Sequence, residues 1–209
     1  MGSVSTVTLP TTPKGRATAE RLLAAARDVA IANDGHIEIA TVAEAAGVVP
    51  SLVHRYFGSK AGLVRALVDD FFDRFHEQVL DLDLEDRGDW ARHEHARLVL
   101  GVEFHYREPF SRVMHGLLAR DPEVARREVE RIAVVVDRSA RSIRRGQKNG
   151  ELPVGVDPGL AGAAMFGAMR LVLVEALTRT PRPSARKVID VLWHQVAASV
   201  RIDPDRAPS

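Results

Sequence analysis

The stretch from Ile39 to Lys60, IATVAEAAGVVPSLVHRYFGSK, constrains this chain more than any other. Val42, Ala43 and Ala46 recur at helical spacing, and Gly47 then ends the run as a helix C-terminal residue. Pro50 follows where a second helix tolerates it, in the first turn. Leu52, Val53 and Phe57 give that second helix a face to bury. Its other face carries Ser51, His54, Arg55 and Tyr56, a set better suited to phosphates and base edges than to a core. Helix, glycine-containing turn and helix with a polar face is the helix-turn-helix plan, whose second helix enters the DNA major groove.

The flanks support this reading. Thr18 to Asn33 forms an alanine-rich amphipathic helix with Leu22, Leu23, Ala26, Val29 and Ala30 along one side. Downstream, Ser59 can cap a longer helix whose stripe is Leu63, Leu67, Phe71 and Phe75. The succession RLLAAARDVA, ND-G, TVAEAAGV and SLVHRYFGSKAGLVRAL closely resembles the N-terminal domain of the TetR family of transcriptional regulators. The resemblance is specific over about residues 16 to 76, and continues more loosely through RRGQKNGELPVGVDPGLAGAAMFGAM.

The resemblance implies an all-α protein. A three-helix helix-turn-helix domain comes first, and a fourth helix links it to a helical ligand-binding and dimerisation domain. Residues 1–15 then form a flexible arm ending near Lys14 and Arg16, 16–76 the DNA-binding domain (motif 39–58), 77–203 the second domain and 204–209 a tail. Carried onto this sequence, the DNA contacts fall on Thr41, Pro50, Ser51, His54, Arg55, Tyr56 and Lys60. Three positions depart from the family pattern. Val49 stands where many relatives have a capping serine, His54 where tyrosine is usual, and Glu38 where threonine is common. Local signals favour Thr41 as N-cap with Glu44 three residues on. The family register instead starts this helix near Ile39, which leaves more than one and a half turns before Gly47 and is preferred here.

Charge gives little help. The chain has 29 Lys plus Arg against 28 Asp plus Glu, so no global field draws it to nucleic acid. Placement matters more: the arm, Arg55 and Lys60 can line one phosphate track. The arginines of the segment after Pro122 (Arg126, Arg127, Arg131, Arg138, Arg141, Arg144, Arg145) alternate with Glu123, Glu128, Glu130 and Asp137, the pattern of a solvated, salt-bridged face.

Beyond residue 76 the pattern is helical throughout. Trp90 to Tyr106 and Pro109 to Arg120 read as helices, Asp121–Pro122 and Asp157–Pro158 as helix starts, and Ser184 as a further cap. Leu160 to Leu177 is unusually apolar, with small residues Ala161, Gly162, Ala163, Ala164, Gly167 and Ala168. In the last helix Val188, Leu192, Val196 and Val200 recur every fourth residue beside Ile189 and Trp193. The expectation is a homodimer formed by residues 159–200 of the last two helices, reading a pseudo-palindromic double-stranded DNA operator. The uninterrupted apolar run, Leu160 to Met169, is short of a bilayer span and stops at Arg170.

Other chemistries find no pattern. There is no cysteine, hence no disulfide or thiolate site. His93 and His95 fall on different faces of one helix, unlike a helical metal pair, and His105 lies further on. Phosphate loops, GxSxG elbows and HExxH are absent, so neither enzyme nor cofactor is expected. Phe71, Phe75, Phe104, His105, Phe110, Met114 and His115 are candidates to line a pocket for a small apolar or amphipathic effector. The opening residues lack a signal peptide's apolar core, so a cytoplasmic repressor with no membrane partner is the expected class.

Overall fold

The computed structural model describes residues 12–82, 84, 89–114 and 122–206. Every regular element among them is helical. The chain divides into two compact units: Met1–Asp73 with Val113–Arg127, and Arg74–Arg112 with Glu128–Ser209. The leading segment of the first unit ends at Asp73, and the later segment Val113–Arg127 returns to it.

In the first unit α1 (Pro13–Ala32), α2 (Ile39–Ala45) and α3 (Pro50–Phe57) precede α4 (Lys60–Phe75), whose last residues belong to the second unit. Thr12 caps α1 by accepting the Gly15 N–H at 3.2 Å, and Pro13 sits in the first turn. The helix thus begins five residues before the expected Thr18. Lys14 and Arg16 belong to its first turns and not to an arm, while residues 1–11 lie outside the described set. Leu22, Ala26 and Ala30 of α1, Val42 and Ala43 of α2, and Val53 and Phe57 of α3 are buried, and α2 packs on both neighbours. Arg27 of α1 pairs with Asp70 of α4 at 2.8 Å.

In the second unit a π-helical turn, His76–Leu80, is followed by α5 (Trp90–Arg107), a helical turn at 110–114 (α6, shared with the first unit), and α7 (Pro122–Lys148). Next come α8 (Pro158–Thr178), α9 (Ala185–Val200) and a 3₁₀ turn, Pro204–Arg206. The caps expected from sequence are made: Asp157 accepts from the Leu160 N–H at 2.8 Å and Ser184 from the Lys187 N–H at 3.3 Å. Asp121 lies outside the described residues. The 204–209 segment is not all loose tail, because the Trp193 indole N–H donates to the Pro204 carbonyl at 2.7 Å.

The core of this unit gathers Trp90, Val102, Ile143, Leu173, Leu192, Trp193 and Val200. Val188, Leu192, Val196 and Val200 are buried within the chain, with α9 packed on α5 and α8. A Cβ at Gly162 would come within 3.1 Å of the Val136 carbonyl, so that glycine serves the approach of α7 to α8. On α8 and α9 Leu160, Leu171 and Val191 remain exposed. Moreover α8 runs past Arg170 to Thr178, 21 residues in all. By length and composition it could cross a membrane (mean hydropathy 1.7 over its best window, a third of it buried), unlike the ten-residue run read from sequence.

Candidate nucleic-acid interface

The recognition-helix candidate α3 is positioned by its buried side. Val53 and Phe57 lie in the first unit's core, while Ser51, His54 and Arg55 are exposed and Tyr56 is half-buried. Gly47 holds φ +65° in the turn between α2 and α3, with open space where a Cβ would stand, so backbone conformation alone favours glycine there. At the other end Gly62 meets a steric limit: a Cβ would lie 2.0 Å from the Phe57 carbonyl oxygen. That close approach brings the first turn of α4 against the end of α3. Ser59 caps α4, accepting the Gly62 N–H at 3.1 Å, as its sequence position implies.

The unusual positions resolve as follows. Val49 is the N-cap of α3 and offers no side-chain hydrogen bond. α2 begins at Ile39 after Glu38, also without a side-chain cap, so Thr41 is an exposed residue inside the helix and not its cap. His54 Nδ1 lies 3.4 Å from the Gly58 carbonyl oxygen, which can only accept, so in this contact Nδ1 carries the proton. Lys60 pairs with Glu38 across an exposed 2.7 Å contact, and that partner holds the Glu38 carboxyl below its usual range.

Beside α3 lies a polar cleft of about 520 Å³ between the start of α1 and the recognition helix. Lys14, Arg21 and Arg55 supply its charge, Thr12, Thr18 and Tyr56 its hydroxyl groups. Arg21 and Thr18 were not among the sequence candidates. The available signal was that both lie one turn or two beyond Lys14 on the same side of an amphipathic helix.

The candidate pocket residues are dispersed. Phe71 and Met114 belong to the first unit, and Phe75, Phe104, His105 and Phe110 to the second; His115 lies outside the described residues. Within the second unit Phe75 packs edge-on against Phe104 at 5.3 Å and, tilted, against His105 at 5.5 Å. His105 Nδ1 is 3.1 Å from the hydroxyl of fully buried Ser111. The aromatic members are buried, in the manner of core side chains. The three histidines weighed as metal ligands have separate neighbours. His93 Nε2 meets Arg97 at 3.0 Å, His95 stands edge-on to Trp193 where burial lowers its basicity, and His105 meets Ser111.

Residues 22–67, spanning most of α1 through the first half of α4, match the family of bacterial regulatory proteins of the tetR type. No curated protein sequence matches the chain. Solved structures share the fold over nearly the whole length. Salmonella enterica GusR is 17% identical with TM-score 0.73, covering 93% of this chain and 100% of its own. SmeT, the repressor of a Stenotrophomonas maltophilia multidrug efflux pump, is 18% identical with TM-score 0.72, covering 87% and 89%. FadR from Bacillus subtilis, solved with stearoyl-CoA, is 15% identical with TM-score 0.70, covering 87% and 98%. Over residues 22–67 the helix-turn-helix segment is thus similar to the tetR family of bacterial regulatory proteins, and the chain shares the fold of these solved structures.

Proposed function

We propose that this regulator is a ligand-responsive repressor acting in the cytoplasm as a homodimer on a pseudo-palindromic operator. The observation that carries the reading is the exposed polar face of α3, Ser51, His54 and Arg55, continuous with the basic cleft containing Lys14 and Arg21. Base edges would be read by Ser51, His54, Arg55 and Tyr56, and phosphates held by Lys14, Arg21, Lys60 and the backbone near Thr41 and Pro50. Two copies place two recognition helices about one DNA turn apart, which multiplies the affinity of a domain with few cations.

The exposed apolar side chains of α8 and α9 support the dimer. Leu160, Leu171 and Val191 remain after the protomer has closed its own core, and Gly167 has open space around it. Repression is the role of SmeT, the efflux-pump repressor that shares this fold, and is carried over here on that likeness. Effector control would run through α4, the helix to which both units contribute. A ligand can release DNA only if it prefers the non-binding arrangement, a coupling of typically 1–3 kcal/mol.

Selection of bound fragments from random duplex DNA tests the reading in one assay. Expected are inverted repeats whose half-sites are centred about one helical turn apart. Arg55→Ala combined with Lys60→Ala should abolish the gel shift while circular dichroism and light scattering stay unchanged. Unaltered affinity in that variant refutes the assignment of those contacts.

A further inference from the structure

A second cleft, of about 550 Å³, opens in the C-terminal unit between α5, α7 and Leu80. Its walls differ from the apolar, aromatic pocket expected from sequence. Arg97 comes from α5, and Arg138, Arg141, Arg144 and Arg145 come from α7. The face read in sequence as solvated and salt-bridged is therefore gathered around a concavity.

Those cations are not equally committed. Arg97 is fixed by donating to the Val79 and Leu80 carbonyls, both at 2.8 Å. Arg138 is tied to Asp81 at 2.8 Å and to the Leu80 carbonyl, and Arg141 to Asp137. Arg144 has no partner among the described residues, and Arg145 only the field of Glu94. Among the described residues Glu94 is the sole acid lining the cleft. Burial raises its pKa despite the pull of Arg97, Arg138 and Arg145, so the built-in counter-charge is weakened. Counting Asp81 and Asp137 as well, five guanidinium groups face three carboxylates among the described residues.

Neutral donors complete the wall. Ser142 Oγ accepts the Trp90 indole N–H at 3.1 Å, which leaves its own proton to donate. Ser139 lines the cleft beside it, one helical turn from Ser142. Leu80 and Val135 add apolar surface. Guanidinium forks, a hydroxyl donor and an apolar flank match a carboxylate, sulfonate or phosphate group attached to an organic body. The volume falls within the usual range of small-molecule sites.

We propose that the α5–α7 cleft binds a small organic anion, its acidic group held by Arg144, Arg145 and Ser142, and that this anion is the regulator's effector. The effector role rests on the DNA-binding reading above; the binding site does not.

A matched pair of fluorescent probes tests it on the full-length chain: anilinonaphthalene sulfonate, and N-phenylnaphthylamine, which has the same apolar body without the charge. The sulfonate should bind at least about tenfold tighter than the amine. Replacing Arg144 and Arg145 together by Gln should cost it about tenfold or more, the loss expected for charged hydrogen bonds. Binding of the amine and the melting temperature should not move. Glu94→Gln should retain or strengthen sulfonate binding, because the amide cannot compete as an anion. Equal affinity for both probes, or sulfonate binding indifferent to the arginines, overturns the site, because dye on the apolar α8–α9 surface would behave that way. Gel shifts on the same preparations separate the two readings. A DNA complex that forms in wild type and ignores saturating sulfonate overturns the effector role while leaving DNA binding standing.

Discussion

Lys60 Nζ donates to the Glu38 carboxylate at 2.7 Å, joining the first residue of α4 to the residue just before α2. The pair spans the helix-turn-helix motif on its exposed side, and the carboxyl sits below its usual range because Lys60 bonds it and lies beside it. An exposed pair of this kind contributes little to folding. Its cost falls on DNA, since Lys60 must leave Glu38 to hold a phosphate, and the freed carboxylate then regains a counterion.

Glu38→Gln should therefore tighten operator binding. Without Glu38 to regain a cation, the Lys60 contact releases one more net counterion, so the slope of log K against log salt steepens by about 0.9. Fluorescence anisotropy over a salt series reads both quantities. Weaker binding with an unchanged slope would mean that Lys60 does not reach DNA. The melting temperature should scarcely change.

Gly62→Ala should destabilise the N-terminal unit. The new methyl would stand 2.0 Å from the Phe57 carbonyl, and backbone cannot yield as a flexible side chain does. Overpacking typically costs about 1–3 kcal/mol, enough to lower the urea midpoint measurably. A variant with wild-type stability would show that α4 can slide away from α3 without loss.

Much of this domain was legible because its determinants are local. Gly47, Pro50 and Ser59 punctuate the chain, and Val53 and Phe57 recur one turn apart, so spacing alone located α3 and its buried side. The start of α1 was not, because Thr12 and Pro13 form a cap only once Gly15 is in place, while the alanine-rich run marks a helix only from about Thr18. Burial in the second unit depended on pairing between distant segments. The fourfold repeat from Val188 to Val200 marks an apolar face equally well whether it meets α5 and α8 or another chain. Likewise an arginine-rich helix face reads as solvated until α5 is seen to close a cleft over it.

Glu94 gives the protein a pH dependence whose sign can be worked out. Burial, the largest influence, raises its pKa above the ordinary 4.5 in the folded state. The folded chain thus binds this proton more tightly than the unfolded one does. The resulting stability is fully present below about pH 4.5 and is lost as pH rises through the folded value. Glu94→Gln, which mimics the protonated acid, should match wild type at the acid end and exceed it at neutral pH. Thermal melts of both proteins across that window check the difference, in which the titrations of all other groups cancel. A gap that shrinks as pH rises would mean that the surrounding arginines outweigh burial.

Two leucines separate the interior of the chain from the surface proposed to be shared by two copies. Leu192 on α9 is 1% exposed and Leu171 on α8 is 67% exposed, although both lie in strongly apolar stretches. Leu192→Ala removes buried volume and should cost about 2–5 kcal/mol of folding stability. Leu171→Glu removes nothing from the protomer core, so each chain should keep its helicity. What it introduces is two like charges facing one another across a two-fold axis, each desolvated by the other's surface. Light scattering should then report a monomer at micromolar concentration, and binding should weaken far more on an inverted repeat than on a single half-site. A Leu171→Glu protein that remains dimeric places the interface elsewhere, and with it the geometry that sets the spacing of the two α3 helices.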